Sequence, residues 1–389
     1  MSRRPATPSL LRSMNDRAAL ELLLEHGPLT RVDLGKQTGL SKVTASQLLA
    51  RLEERDLVEV VGTQSAARGP SAELYAVRPG CAHSIGVELN PDRAKVAVAD
   101  VTGTVVARVE RTVDAASDPN HFVHDLVVSA AEECGLKVAD VSEVVIGMPG
   151  VVDPVSGDIE LSYDLPGWHR GLRTTLATDL GCDLTFENDV NLAAEAERAE
   201  GAGQDVDDMV LLWVGRGVGL AVVLSGHLHR GATGAAGEIG YLPAPGVEVP
   251  ASVRVPDKGG FQALVGAAAV VDLARAHRIV ADDAAGAIRA ALAGGTAAEA
   301  FLHEFAGRLA LGVASVCTVV DPALVVMAGE LGSAGGGKLC DLVADAVQRI
   351  APVHPRVVPT MIPDAPVLRG AVLASVEKAR EALFSVTQP

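Results

Sequence analysis

Aromatic side chains are nearly absent: Phe, Tyr and Trp together make up 3% of the 389 residues. A core with so few rings must close on alanine, valine, leucine and glycine. Cysteine is scarce and scattered, at Cys81, Cys134, Cys182, Cys317 and Cys340. The number is odd and no Cys-x-x-Cys occurs, which argues against a disulfide framework or a zinc clip and for reduced, buried thiols in the cytoplasm. No apolar run reads as long enough to span a bilayer, so no membrane partner is expected. The first residues, Met-Ser-Arg-Arg-Pro-Ala-Thr-Pro, carry basic charge without an apolar segment behind it and do not read as a secretory signal.

Positive charge is also short, with 33 Lys/Arg against 49 Asp/Glu and a net charge of −16. The deficit is uneven. Residues 1–80 hold 11 basic against 9 acidic residues (+2), and residues 81–389 hold 22 against 40 (−18). A near-neutral head on an acidic body is compatible with nucleic acid at the head alone. What is present is globular in composition, 48% apolar and 21% charged, and the length implies two or three domains.

The head has an ordered run of helix signals. Residues 14–26 carry Leu20, Leu22, Leu23 and Leu24 on one broad stripe, closed by Gly27-Pro28. Thr30 is an N-cap candidate, and Asp33 is placed to reach back to its N–H. A second helix to Gln37 meets the turn Thr38-Gly39-Leu40, and Ser41 caps a third helix reaching about Arg55. Ala45, Leu48, Leu49 and Leu52 face inward, which leaves Ser41, Lys42, Thr44, Ser46 and Gln47 outside. That is the pattern of a helix-turn-helix whose third helix enters the major groove. Lys42 and Gln47 suit base edges, while Ser41 and Thr44 suit phosphates. Strands over 57–61 and 72–77 frame a loop with Arg68-Gly69-Pro70, a basic wing tip. Thr30, Ser41, Lys42, Thr44, Ser46, Gln47 and Arg68 are thus the candidate DNA-facing residues. A three-helix bundle with a hairpin is the bland alternative.

From Ser84 the pattern changes to valine-rich strands over 85–89, 94–99 and 105–109, a helix over 121–133, and a buried strand at 144–146. A second cycle begins at Met209-Val210-Leu211-Leu212-Trp213-Val214. Two mixed-sheet lobes around a cleft make an α/β, actin-like fold of the ribonuclease-H type behind a winged helix-turn-helix. The expected division is a head at 1–78, a joint at 79–84, one lobe at 85–200 and a second at 201–389. The last helix is expected to return to the first lobe.

Within this body Gly147-Met148-Pro149-Gly150-Val151-Val152-Asp153, Leu165-Pro166-Gly167-Trp168, Glu187-Asn188-Asp189, Gly215-Arg216-Gly217-Val218-Gly219 and Gly237-Glu238-Ile239-Gly240 occur in order. In these motifs the chain resembles the ROK family of repressors, open reading frames and kinases, from about Ile85 onward. With the head, it is similar to the family's xylose- and N-acetylglucosamine-type repressors. The resemblance implies that Asn188, Asp189 and Glu238 grip sugar hydroxyls, and that in the kinases the aspartate of this triplet also serves as general base. For Asn188-Asp189 a helix cap is the competing reading.

Departures from the family pattern carry as much information. Where the kinases have Asp-x-Gly-Gly-Thr this chain has Glu88-Leu89-Asn90-Pro91-Asp92, in which proline removes an N–H and aspartate repels phosphate. Arg216 stands where a threonine is usual, and Ala328-Gly329-Glu330-Leu331-Gly332 keeps part of a glycine run. ATP binding and phosphoryl transfer are therefore expected to be lost, with no cofactor. Tyr241 replaces a zinc-ligating histidine, and residues 255–262 lack the cysteines, so no metal is expected. Asp164 replaces an asparagine. Asp164, Asn188, Asp189, Glu238 and Tyr241 are the candidate ligand residues. His227 and His229, two apart on a hairpin, read as a solvated turn for want of a third ligand.

The expected function is sugar-responsive transcriptional regulation, as a repressor, with operator DNA and a sugar or sugar phosphate as partners. A homodimer or dimer of dimers would match a palindromic operator. A sugar kinase bearing a DNA-binding head, or a regulator that no longer binds sugar, are the other readings.

Overall fold

The computed structural model describes residues 8–65, 71–113, 118–162, 164–165, 167–168, 170–250, 252–253 and 259–385. The head comprises α1 (Pro8–His26), β1 (Leu29–Thr30), α2 (Arg31–Thr38), α3 (Lys42–Glu54), β2 (Val58–Gln64) and β3 (Ala72–Val77). Helix α1 starts six residues earlier than the leucine stripe implies. Pro8 opens it, at a position where a missing N–H costs nothing. Gly39, at φ 71°, closes α2 in the left-handed region.

The strands order β1-β3-β2, all antiparallel, so the helices lie beside a three-stranded wing. Leu20, Leu23, Leu34, Leu48, Leu49 and Leu52 fill the space between helices. Ala82, Val101 and Phe384 join that same core from outside the head.

The body contains two five-stranded sheets of one topology. The first is formed by β4 (His83–Leu89), β5 (Arg93–Asp100), β6 (Val105–Thr112), β7 (Val141–Met148) and a final strand, β10 (Asp183–Asn188), in the order β10-β7-β4-β5-β6. Between them come α4 (Pro119–Glu132), the small hairpin β8 (Val151–Val152) and β9 (Ile159–Leu161), and α5 (Leu172–Leu180). Helix α6 (Asp189–Glu200) follows β10 without a break.

The second sheet is β13-β12-β11-β14-β15, from β11 (Met209–Val214), β12 (Val218–Leu224), β13 (His227–Leu228), β14 (Leu324–Ala328) and β15 (Arg356–Pro359). In each sheet three antiparallel strands precede two that add in parallel. This duplication is the two-lobed, actin-like architecture that the strand spacing implies. Helices α7 (Gln262–Val265), α8 (Ala267–Ala276), α9 (Ala284–Leu292), α10 (Thr296–Val320) and α11 (Gly329–Ile350) build the second lobe's outer layer.

One expectation from the apolar runs needs correction. Helix α10 is long and apolar enough, by length and composition, to cross a membrane. Its alanines and glycines thin the signal in a plain reading of the chain. Here Phe301, Phe305, Leu309 and Val313 are buried in the second lobe's core.

The last helix, α12 (Pro366–Ser385), leaves the second sheet and packs on β4, β5, β7 and α6. Together α6 and α12 fill the space between the sheets, where Val190, Leu192 and Val367 meet Met209, Leu211 and Val223. Their approach needs Gly370, because a Cβ there would lie 1.9 Å from the Leu192 carbonyl oxygen. A second tie is Glu197, which is fully buried. Its Oε1 accepts from the Met361 and Ile362 N–H groups at 2.9 and 3.0 Å and from the Thr360 hydroxyl. Its Oε2 accepts from the Ala202 N–H at 2.8 Å.

Candidate functional site

The cleft opens at the carboxyl ends of β4, β7 and β10, where parallel strands leave room for a ligand. Register places Glu88 beside Gly147 and Gly147 beside Glu187, so Glu88 and Glu187 share one face of the sheet, two strands apart. Asp189 begins α6 directly after β10. From the second lobe comes Glu238, on a loop tied to β12 by the Leu220 N–H donating to the Gly237 carbonyl at 2.9 Å.

Burial pushes the Asp189 carboxyl up to about 6, helped by the charges of Asp164 and Glu88, while the Val190 N–H at 2.9 Å partly offsets it. Burial likewise pushes Glu238 up to about 7, and the charge of Asp189 adds to it. Among the described residues neither carboxyl group enters an ion pair within 4.0 Å.

Two arginines of the second lobe reach across to the first. Arg216 donates to Asp164 at 2.9 Å, and Arg230 donates to Glu187 through Nε at 2.7 Å. The residues in each pair stand far apart in the chain, so neither pair is foreseeable from spacing. Arg216 is therefore engaged by Asp164. Gln262 stitches the same glycine loop, accepting from the Val218 N–H at 2.8 Å and donating to the Arg216 carbonyl at 2.9 Å.

The first phosphate-loop position is equally closed. The Asn90 N–H is donated to the Arg93 carbonyl at 2.8 Å, Pro91 has no N–H, and Asp92 is an exposed acid.

Several sequence-derived candidates make hydrogen bonds within the chain. Asn188 is the N-cap of α6, its Oδ1 accepting from the Asn191 N–H at 3.0 Å, and its Nδ2 donates to the Gly150 carbonyl at 3.0 Å. The capping alternative is therefore realised, and the amide is committed on both sides. Tyr241 donates its hydroxyl to the Val253 carbonyl at 2.8 Å.

In the head, Thr30 is 3% exposed and its hydroxyl is consumed locally. It accepts from the Asp33 N–H at 3.2 Å and donates to the Asp33 carboxylate at 2.6 Å. Thr30 is thus a cap with no path to DNA, and Asp33 returns to its hydroxyl, not its N–H. Lys42, Thr44 and Gln47 are exposed on α3, as is its N-cap Ser41, whose hydroxyl accepts from the Thr44 N–H at 3.2 Å and shares a hydrogen bond with the Thr44 hydroxyl at 2.9 Å. Ser46 is half-buried, donating to the Lys42 carbonyl at 2.8 Å and accepting from Arg31 at 3.3 Å. Arg68 lies outside the described residues. Val43, which the hydrophobic pattern passes over, is 67% exposed on the same face.

A winged helix seated on a two-lobed cleft of the sugar-kinase kind is the class these features define. The ROK family model matches residues 84–376 and a MarR family model matches residues 14–69. The chain belongs to the ROK family. The DNA-binding transcriptional dual regulator NagC of Escherichia coli (strain K12) is 26% identical over 241 residues, covering 60% of this chain and 58% of that protein. The chain thus matches somewhat over half of that relative's length.

Among solved structures, a ROK family transcriptional regulator, described as a homolog of the E. coli MLC protein, superposes with a TM-score of 0.76. Its sequence is 19% identical, and the match covers 97% of this chain and 98% of that one. A ROK family glucokinase from Streptomyces griseus, in complex with glucose and AMPPNP, superposes with a TM-score of 0.62 at 22% identity, covering 76% and 99%. Regulators and sugar kinases thus share this fold.

Proposed function

We propose that this chain is a cytoplasmic, sugar-responsive DNA-binding transcriptional regulator, a repressor of carbohydrate uptake or metabolism genes, without phosphoryl transfer. The single observation that carries the reading is a polar recognition face joined to a cleft where the counterpart of the first phosphate loop has its Asn90 N–H hydrogen-bonded and a proline next to it. Lys42 and Gln47 would read base edges and Val43 would meet a thymine methyl, while Ser41 and Thr44 hold phosphates. Residues 1–78 would act as the head, 79–84 as the joint and the remainder as the sensor. Asp164, Asp189 and Glu238 would bound the ligand, with Asn188 and Tyr241 shaping the walls. The relatives' names support both the DNA and the sugar side of this reading.

A route for the signal runs along α12. Its start lies against α6 beside the cleft, and its end places Phe384 in the head's core, under the Arg17 guanidinium at 5.2 Å. A ligand that draws the lobes together would shift α6 and α12, and so the head. It changes DNA affinity only by its differential affinity for the two arrangements. A homodimer or dimer of dimers would present two heads to a palindrome.

Selection of binding sites from random DNA with the full chain, followed by gel shifts with and without sugars, tests the reading. Gln47→Ala is expected to weaken the selected site by about 1–3 kcal/mol, roughly 5- to 150-fold, and to relax preference at one base. Lys42→Ala is expected to weaken binding in a salt-dependent way. Absence of any selected sequence would sink the regulator, and ADP formed from ATP and a hexose would promote the kinase reading.

A further inference from the structure

Arg31 follows β1 directly and reaches the flank of the recognition helix. Thr30 pairs with Leu74 in the antiparallel register of β1 and β3, which brings the next residue, Arg31, to Glu73. One terminal nitrogen of its guanidinium donates to the Ser46 hydroxyl at 3.3 Å, and the other lies 3.6 Å from Glu73 Oε2. The same oxygen accepts from the hydroxyl of Tyr75, which is 4% exposed, at 2.7 Å. Tyr75 therefore fixes Glu73, whereas Arg31 stands too far off for a hydrogen bond to it. Other arginines of the head are held more closely, Arg51 by Asp16 and Arg78 by Asp56, each at 2.6 Å.

On α3, Ser46 marks the border between the buried stripe and the exposed face, one turn from Lys42. A helix with its side chains is about 10–12 Å across and fills a major groove about 12 Å wide. Its flanks therefore meet the phosphate strands that border the groove. Arg31 and Glu73 stand on the Ser46 flank, where one such strand would pass. Their side chains are 40% and 51% exposed, open to it. Phosphate repels a carboxylate at that place, while a guanidinium can donate two hydrogen bonds to it.

We infer that Arg31 grips a backbone phosphate of bound DNA and that Glu73, held by Tyr75, occupies its guanidinium until the phosphate displaces it. This rests on the DNA-binding reading above and adds to it a phosphate site and the group that competes for it. The exchange replaces a loose surface ion pair, which contributes little, by a charge-assisted hydrogen bond. Glu73 keeps its bond from the Tyr75 hydroxyl throughout, so no buried donor is orphaned. A phosphate contact carries no sequence information, so Glu73 lowers affinity alike for every DNA.

Gel shifts of the full chain across a salt series, on a random-sequence duplex and on the site selected as above, test the inference. Arg31→Gln is expected to weaken both duplexes alike, by about tenfold, and to reduce the salt slope by about one per head. Arg31→Lys keeps the charge without the planar fork, and should restore the slope and part of the affinity. Glu73→Gln keeps an acceptor for Tyr75 and should tighten both duplexes by about two- to fivefold. Thermal melting checks that each variant is folded. An unchanged salt slope in Arg31→Gln would make Arg31 a strut between α3 and β3 and overturn the phosphate site, with DNA binding intact. Glu73→Gln binding no tighter than the parent overturns the competition. Failure of the parent chain to shift either duplex overturns the DNA-binding reading as well.

Discussion

Glu197→Ala is expected to lower the stability of the body by about 2–4 kcal/mol, read as a fall in the urea midpoint without a change in slope. The carboxylate is fully buried, yet it is satisfied by three backbone N–H groups and one hydroxyl. Deleting it orphans all of those donors at once, and each buried unsatisfied donor costs about 1–3 kcal/mol. Met361 and Ile362 are not fully enclosed, so water recovers part of the loss. Glu197→Gln keeps one acceptor but turns an amide toward the Ala202 N–H, and should cost about half as much. A midpoint for Glu197→Ala within about 0.5 kcal/mol of the parent would mean that the knot between α6 and the β15–α12 link does not hold the lobes.

Gly370→Ala sets two effects against each other. Alanine in a helix interior gains about 1 kcal/mol over glycine. Its Cβ, however, would stand 1.9 Å from the Leu192 carbonyl oxygen and 2.5 Å from its carbonyl carbon. Both atoms are backbone of α6, so no rotamer change relieves the clash and the helices must part. Overpacking of this kind costs about 1–3 kcal/mol and occasionally more, so steric cost wins. The expected result is a net loss of about 1–2 kcal/mol. It should be accompanied by an altered response of DNA binding to effector, because α12 carries Phe384 into the head. A variant more stable than the parent would show that α12 is not seated against α6 as described.

Local chemistry made the head readable. Ser41 caps α3, Gly39 stops α2, and Ala45, Leu48, Leu49 and Leu52 fall on one buried stripe, all within a few residues of one another. The duplicated sheets were readable for the same reason, since β11 coincides with its apolar run and β4 and β5 contain theirs. The site was readable only as an ordered set of motifs. Its working details lie in pairings that no window spans: Arg216 with Asp164, Arg230 with Glu187, and Asn188 with the Gly150 carbonyl. Glu88 sits in a segment that reads as a degraded phosphate loop. Only the pairing of β4 with β7 brings it to the face of Glu187. The seat of α12 is equally long-range, joining residue 370 to residue 192.

The joint between head and body bears on how DNA is met. Residues 79–81 form a short turn whose Pro79 carbonyl accepts from the Val101 N–H at 3.4 Å, and Ala82 is already part of the head's core. A head moored this way is no fishing line. It gives up the wide search volume of a loose tether, but it arrives with its orientation set, and little joint entropy is surrendered when the groove is occupied.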